Sequence, residues 1–190
     1  EQARVIIARR WPAVAQALAT SPSFTELALD TSGPVQTIAA ADIRLASAWE
    51  PDAEAALQCA HLPDDCTCIT LYGVGMAGLP ARLLDRLAPD GSLHVVIMNA
   101  GLFSTLLDII EQSDWLGHPA VRLSLARDHD QPCVRAEDNV VITTALLRLA
   151  EPSAARLRDH LGQMLSQERA ADFQATHEAM INDSLQANEP

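Results

Sequence analysis

Apolar runs of strand length alternate with amphipathic stretches through the middle of this chain, and the change of period marks the elements. From Cys68 to Phe103 the order is strand, glycine turn, helix, turn, strand. Ile69, Leu71 and Tyr72 lead into Gly73, Gly75 and Gly78, which have the GxGxxG spacing. Leu79, Leu83, Leu84 and Leu87 then recur at helical spacing, which predicts a helix over 79–88. Pro89, Asp90 and Gly91 are expected to break it before the apolar run Leu93–Met98. This is the pattern of an opening βαβ unit, and it predicts an α/β, Rossmann-like, mostly parallel sheet with helices on both faces.

The flanks follow the same logic. Residues 3–19 read as helical, with a break or kink at Pro12. Phe24–Leu29 alternates as a half-buried strand, Asp30–Pro34 is a turn, and Val35–Ala39 and Ile43–Leu45 are short strand candidates. Together they form a small β-rich N-terminal part, residues 1–46. Pro51 suits the first turn of a helix, with Asp52 and Glu54 near its positive end, and Ala53, Ala56, Leu57 and Ala60 supply an apolar face. After Phe103 a helix presents Leu102, Leu106, Leu107 and Ile110 inward, and residues 113–119 read as a loop. Residues 120–126 alternate as a third strand of the core, the stretch from Arg127 to Pro132 is a polar turn, and Asn139–Thr143 is a further strand. The Rossmann-like core thus spans 47–150. From Ser153 the pattern is helical almost to the end, with Leu157, Leu161, Leu165, Phe173, Met180, Ile181 and Leu185 in one stripe. Residues 151–190 are expected to be a helical extension, packing against a second copy or a following domain.

Composition narrows the partners. The formal charge of −12 argues against a broad nucleic-acid surface, which needs clustered positive charge. The 13 basic residues are all arginine, so lysine Schiff-base chemistry and a P-loop are excluded. Cys59, Cys66, Cys68 and Cys133 give no CxxC pair and read as free thiols of a reducing, cytoplasmic compartment. No apolar run has membrane length, so no membrane association is expected.

Candidate chemistry centres on the glycine turn. Glycines at this spacing let backbone approach either a ligand or a neighbouring element, so Gly73, Gly75 and Gly78 are candidate cofactor-binding positions. A nucleotide or S-adenosylmethionine site usually adds a carboxylate at the tip of the second strand, for ribose hydroxyls. Here that tip reads Ile97, Met98, Asn99. Asn99 can hydrogen-bond a hydroxyl but brings no charge, which favours a structural Rossmann core over a live nucleotide site. His61, His94, His118, His129, His160 and His177 form no HxH or HExxH, so no metal site is expected from local spacing. His94, inside an apolar strand, reads as a hydrogen-bonded core histidine. Asp128, His129 and Asp130 read as a solvated turn before a cation site. Arg9 and Arg10 read as a solvated helix face, with an anion contact as the alternative. Ser47, Trp49 and Glu50, just before a helix, read as its cap.

The order of these motifs resembles a known family. SAWEPDAEA, ITLYGVGMAG, VVIMNAGLF and SDWLGHPAVRLSL are similar to the N-terminal region of the motility-associated factor (Maf) proteins, bacterial flagellin glycosyltransferases associated with nonulosonic acids such as pseudaminic acid. Ser47, Trp49, Pro51, Glu54 and Ala55 match a serine-tyrosine-x-Pro-x-x-Glu-Ala motif with Trp in place of tyrosine, and Gly73, Gly75 and Gly78 match a glycine-rich turn. Ile97, Met98 and Asn99 depart from the family's Glu-Pro-Asp. The resemblance covers residues 43–126 best. It implies a non-catalytic domain used for assembly or for recognition of a partner such as flagellin, because the family's transferase activity is attributed to a central domain with no counterpart here. No catalytic residue carries over. The alternative from the residues themselves is a small enzyme that binds a nucleotide or S-adenosylmethionine, such as a methyltransferase.

Overall fold

The computed structural model describes residues 1–76, 78–129, 132 and 139–167. The chain is an α/β protein built on a parallel four-stranded sheet. Its strands are β4 (Cys66–Tyr72), β5 (Leu87–Ile97), β6 (Val121–Leu125) and β7 (Asn139–Ile142), in the order β6-β5-β4-β7. The chain therefore runs outward from β4 through β5 to β6, then returns to the other side of β4. That reversal creates a topological switch point between β4 and β7, where open α/β sheets hold ligands.

Alternation along the strands sorts residues onto two faces. Ile69, Leu71, Leu93, Val95, Ile97, Val121, Leu123, Leu125 and Val141 form one buried face. Against it pack α1 (Gln2–Arg10), α2 (Pro12–Thr20), α4 (Gly78–Leu84) and part of α5 (Ala100–Ile109). Pro12 divides α1 from α2, as its missing N–H and fixed φ require. The other face carries Tyr72, Val96 and Met98, covered by Leu157 and Leu161 of a helix described over residues 155–167, α8. Both leucines are 0% exposed, so the front of the apolar stripe belongs to this sheet. Leu165 is half-buried, and Phe173, Met180, Ile181 and Leu185 lie outside the described residues.

A second, antiparallel sheet of β1 (Leu27–Asp30), β2 (Thr37–Ala40) and β3 (Ile43–Arg44) sits near the N-terminus. Ile38, Ala40 and Leu45 close over Leu102 and Leu106 of α5, and over Leu146 and Leu149 of and beside α7 (Thr144–Arg148). This small sheet is thereby brought against the helices that follow β5 and β7.

Several sequence expectations change. The helix after the glycine turn ends at Leu84 rather than at Ala88, and β5 begins at Leu87. Pro89, Asp90 and Gly91 lie in an irregularity inside β5, where the register with β4 shifts between Cys66 and Cys68. A bulge absorbs a proline that a regular central strand would not accept. Residues 113–117 form a short helix, α6, instead of a loop, with Trp115 and Leu116 buried. The segment Thr144–Arg148 is helical although no periodic signal marks it. Finally, α3 (Pro51–Gln58) buries Ala55, and Cys59 beyond it, rather than the expected face. Ala53, Ala56, Leu57 and Ala60 face outward, Leu57 at 76% exposure. Alanine on every side of this helix leaves its apolar direction undefined by sequence.

Candidate functional site

The glycine turn lies at the switch point. Gly73 ends β4 with φ +88°, a left-handed conformation that glycine adopts without penalty. Its N–H donates to Val96 O at 3.0 Å. The adjacent tip of β7 is stitched to it: Thr143 N–H donates to Tyr72 O and the Thr143 hydroxyl donates to Gly73 O, both at 3.0 Å. A methyl group at Gly73 would stand 2.4 Å from Leu146 Cβ. One at Gly75 would stand 3.3 Å from both Leu146 Cδ2 and Leu45 Cβ, whereas one at Gly78 would meet nothing within 4 Å. The first two glycines thus make room for α7 and for the residue that follows β3. Gly78 alone opens to space.

Asn99 stands at the tip of the neighbouring strand, as the N-cap of α5. Its Oδ1 accepts from Leu102 N–H at 2.9 Å, and its Nδ2 donates to Leu149 O at 2.8 Å. The amide ties the start of α5 to the end of α7, and both of its ends are engaged. The carboxylate missing from this strand tip arrives from elsewhere in the chain. Glu151 donates its backbone N–H to Met98 O at 3.0 Å and accepts from Ala100 N–H through Oε2 at 3.4 Å. Negative charge at a helix N-terminus is favourable, and here it comes from a residue with no motif around it.

A cavity of about 290 Å³ adjoins the turn. Val74, Gly75 and Gly78 form one side, Thr143 marks the β7 tip, and Leu45 to Ser47 with α3 close the opposite side. The charged residues lining it are Asp52 and Glu54, with no arginine or histidine among the described lining residues. Arg82 reaches Asp52 at 3.8 Å, both side chains being well exposed. Thr37 also stands in the wall, 1% exposed, and its hydroxyl has no hydrogen-bond partner among the described residues. Gly73 and Asn99 do not line this cavity, so the structure gathers Gly75 and Gly78 there and leaves the other two candidate positions in packing contacts. Thr37, Leu45 and Leu146 carry no sequence signal. The partial exception is Leu45, two residues before the Ser47 motif.

That motif is a folded clasp. The Ser47 hydroxyl accepts from Trp49 N–H at 3.2 Å and Glu50 N–H at 3.1 Å, while Glu54 Oε2 accepts from Ser47 N–H at 2.5 Å. Pro51 begins α3 and Ala55 is buried beneath it. Ser47, Pro51, Glu54 and Ala55 therefore each have a local structural task, although the side chain of Ser47 does not cap α3, whose N-cap is Glu50. Trp49 is left 63% exposed.

The other candidates disperse. Arg10 meets neither solvent alone nor an anion: its guanidinium donates to the carbonyls of Leu116, His118, Pro119 and Val121 and lies 4.4 Å over the Trp11 ring. His94 and His129 both hydrogen-bond the Ser124 hydroxyl, at 2.8 and 3.0 Å. His61 bonds Val140 O, His160 is exposed, and His177 lies outside the described residues. Among the described residues no three His, Cys, Asp or Glu side chains are placed to hold a metal ion. Cys59, Cys66 and Cys68 are free, and burial pushes the Cys59 and Cys66 thiols up, away from the reactive thiolate; Cys133 and Asp130 lie outside the described residues. No helix among the described residues is long and apolar enough to cross a membrane. No protein-family model matches the chain, and no curated protein matches it.

Proposed function

We propose that this chain is a non-catalytic Rossmann-like domain of a Maf-type flagellin glycosyltransferase, serving assembly or recognition of a partner such as flagellin. The observation that carries the non-catalytic part is the packing of Leu146 against Gly73, with Leu45 beside it over Gly75. A Rossmann turn that binds a dinucleotide keeps that approach free for the pyrophosphate. Asn99 supports the same reading, because both ends of its amide are used within the protein. The Ser47–Glu54 clasp supports the resemblance, since it gives the motif residues a shared structural reason. The test combines two measurements on the chain. Incubation with an activated nonulosonic acid and flagellin should transfer no sugar, while the chain should co-migrate with flagellin in sedimentation. Turnover by this chain, or no association with flagellin, overturns the reading.

One observation favours a second reading, a small enzyme that binds a nucleotide or S-adenosylmethionine. The cavity lies at the switch point, on the open Gly78 side of the turn. Methyl transfer from S-adenosylmethionine to any acceptor would establish it.

A further inference from the structure

We infer that the cavity between the glycine turn and the Ser47–Glu54 clasp is a binding site for a compact, phosphate-free molecule that is neutral or cationic and carries hydroxyl or amine donors. This goes beyond the reading above, because a domain without chemistry of its own can still hold a ligand. Several features point the same way. The cavity, about 290 Å³, is near the lower end of the ~300–1,000 Å³ typical of small-molecule sites, and lies where parallel sheets of this order bind ligands. Its body is apolar, with Val74, Leu79, Pro80 and Ile110 among its walls, so it can bury the carbon skeleton of a ligand.

The polar groups set the chemistry. The hydroxyl of Thr37 is buried without a partner among the described residues, a state that costs free energy unless something satisfies it. Glu54 gives one oxygen to Ser47 N–H, and its other oxygen has only a 3.5 Å contact with Gln58 Nε2, at the limit of a hydrogen bond. That oxygen retains the capacity to accept from a ligand hydroxyl or ammonium group. A phosphate would meet Asp52 and Glu54 with no arginine lining the cavity among the described residues, and like charge in a partly enclosed space is repulsive.

The experiment is an amide-resolved NMR titration of the whole chain. The probes are adenosine and glucosamine, their phosphorylated counterparts AMP and glucosamine 6-phosphate, and a fragment library divided by charge. Phosphate-free amine or polyol probes should shift the amides of Thr37, Ser47 and Gly75, with phosphorylated counterparts at least tenfold weaker. Thr37→Val should abolish these shifts while raising the melting temperature, because it removes an unsatisfied hydroxyl. Glu54→Gln, which keeps an acceptor for Ser47 N–H, should weaken the amine probes most. The inference is overturned if no probe or fragment moves those amides, if binding maps elsewhere, or if phosphorylated probes bind as well. Sugar transfer and flagellin association are separate readouts, so failure here leaves the preceding proposal standing and the converse also holds.

Discussion

A methyl group on Gly73 would lie 2.4 Å from Leu146 Cβ, which makes the tightest glycine of the turn a packing partner of α7. Its φ of +88° adds a conformational requirement to the steric one. Gly73→Ala should therefore destabilise the fold by about 2–4 kcal/mol, combining a left-handed penalty with overpacking. Gly75→Ala would meet the flexible Leu146 Cδ2 and the Leu45 Cβ, each at 3.3 Å, and should cost less, and Gly78→Ala should be tolerated. Urea unfolding of the three variants checks this order. Equal losses at all three would show that α7 is not what restricts the turn.

Asn99 joins two elements through one amide. Asn99→Ala removes the cap of α5 and leaves Leu149 O without its side-chain donor, so a loss of about 1–3 kcal/mol is expected. Asn99→Asp keeps the cap acceptor but cannot donate to Leu149 O, and it places a second carboxylate near Glu151. It should also lose stability, more at neutral pH than at pH 4. Chemical denaturation at both values reads the difference.

Arg10 spans four carbonyls around α6 and the start of β6. A planar fork with five donors suits that task, whereas an ammonium is a single point. Arg10→Lys should consequently recover little of the loss in Arg10→Ala, which we place at about 2 kcal/mol from charge-assisted hydrogen bonds at a partly exposed site. Hydrogen exchange should localise the effect to residues 113–121. Full rescue by lysine would mean that charge alone matters.

His94 gives the chain a pH dependence of known sign. Burial, the charge of His129 and then Arg122 hold its imidazole below the ordinary histidine range. The unfolded chain therefore takes up this proton first. His94 contributes its full share of stability above the unfolded value near 6.5, and that share is lost as pH falls below it toward the folded value. Stability measured from pH 8 to pH 5 should fall less steeply in His94→Gln, which preserves a hydrogen bond to Ser124. Parallel curves for the two proteins would remove His94 from the account.

Ala41 and Asp42 turn β2 into β3 with φ of +45° and +62°. Two left-handed residues in a two-residue hairpin are what Asn-Gly supplies at least cost. Asp42 is exposed, so Asp42→Gly should stabilise the chain by about 0.5–1 kcal/mol through relief of backbone strain. A thermal melt gives the direction. A lower melting temperature would show that Asp42 contributes a contact worth more than the strain.

Local pattern was sufficient wherever a residue's partners lie on its own element or the next one. The periods around Gly73 determined β4, the turn, α4 and the hydrophobic half of β5, and Pro12 divided α1 from α2. Pro51 marked the start of α3, but the expected cap from Ser47 is not made: the N-cap position is Glu50 with no side-chain cap, and Ser47 and Glu54 instead hold together the loop that precedes the helix. The sequence could not say that β7 returns to lie beside β4, since that pairing joins Ile69–Tyr72 to residues 139–142 across most of the core. Only the tertiary structure brought Leu146 and Leu45 onto the glycines, Glu151 to the tip of β5, and Thr37 into the wall of a cavity. Such contacts arise when distant elements are packed together, and a single sequence has no periodicity that encodes them.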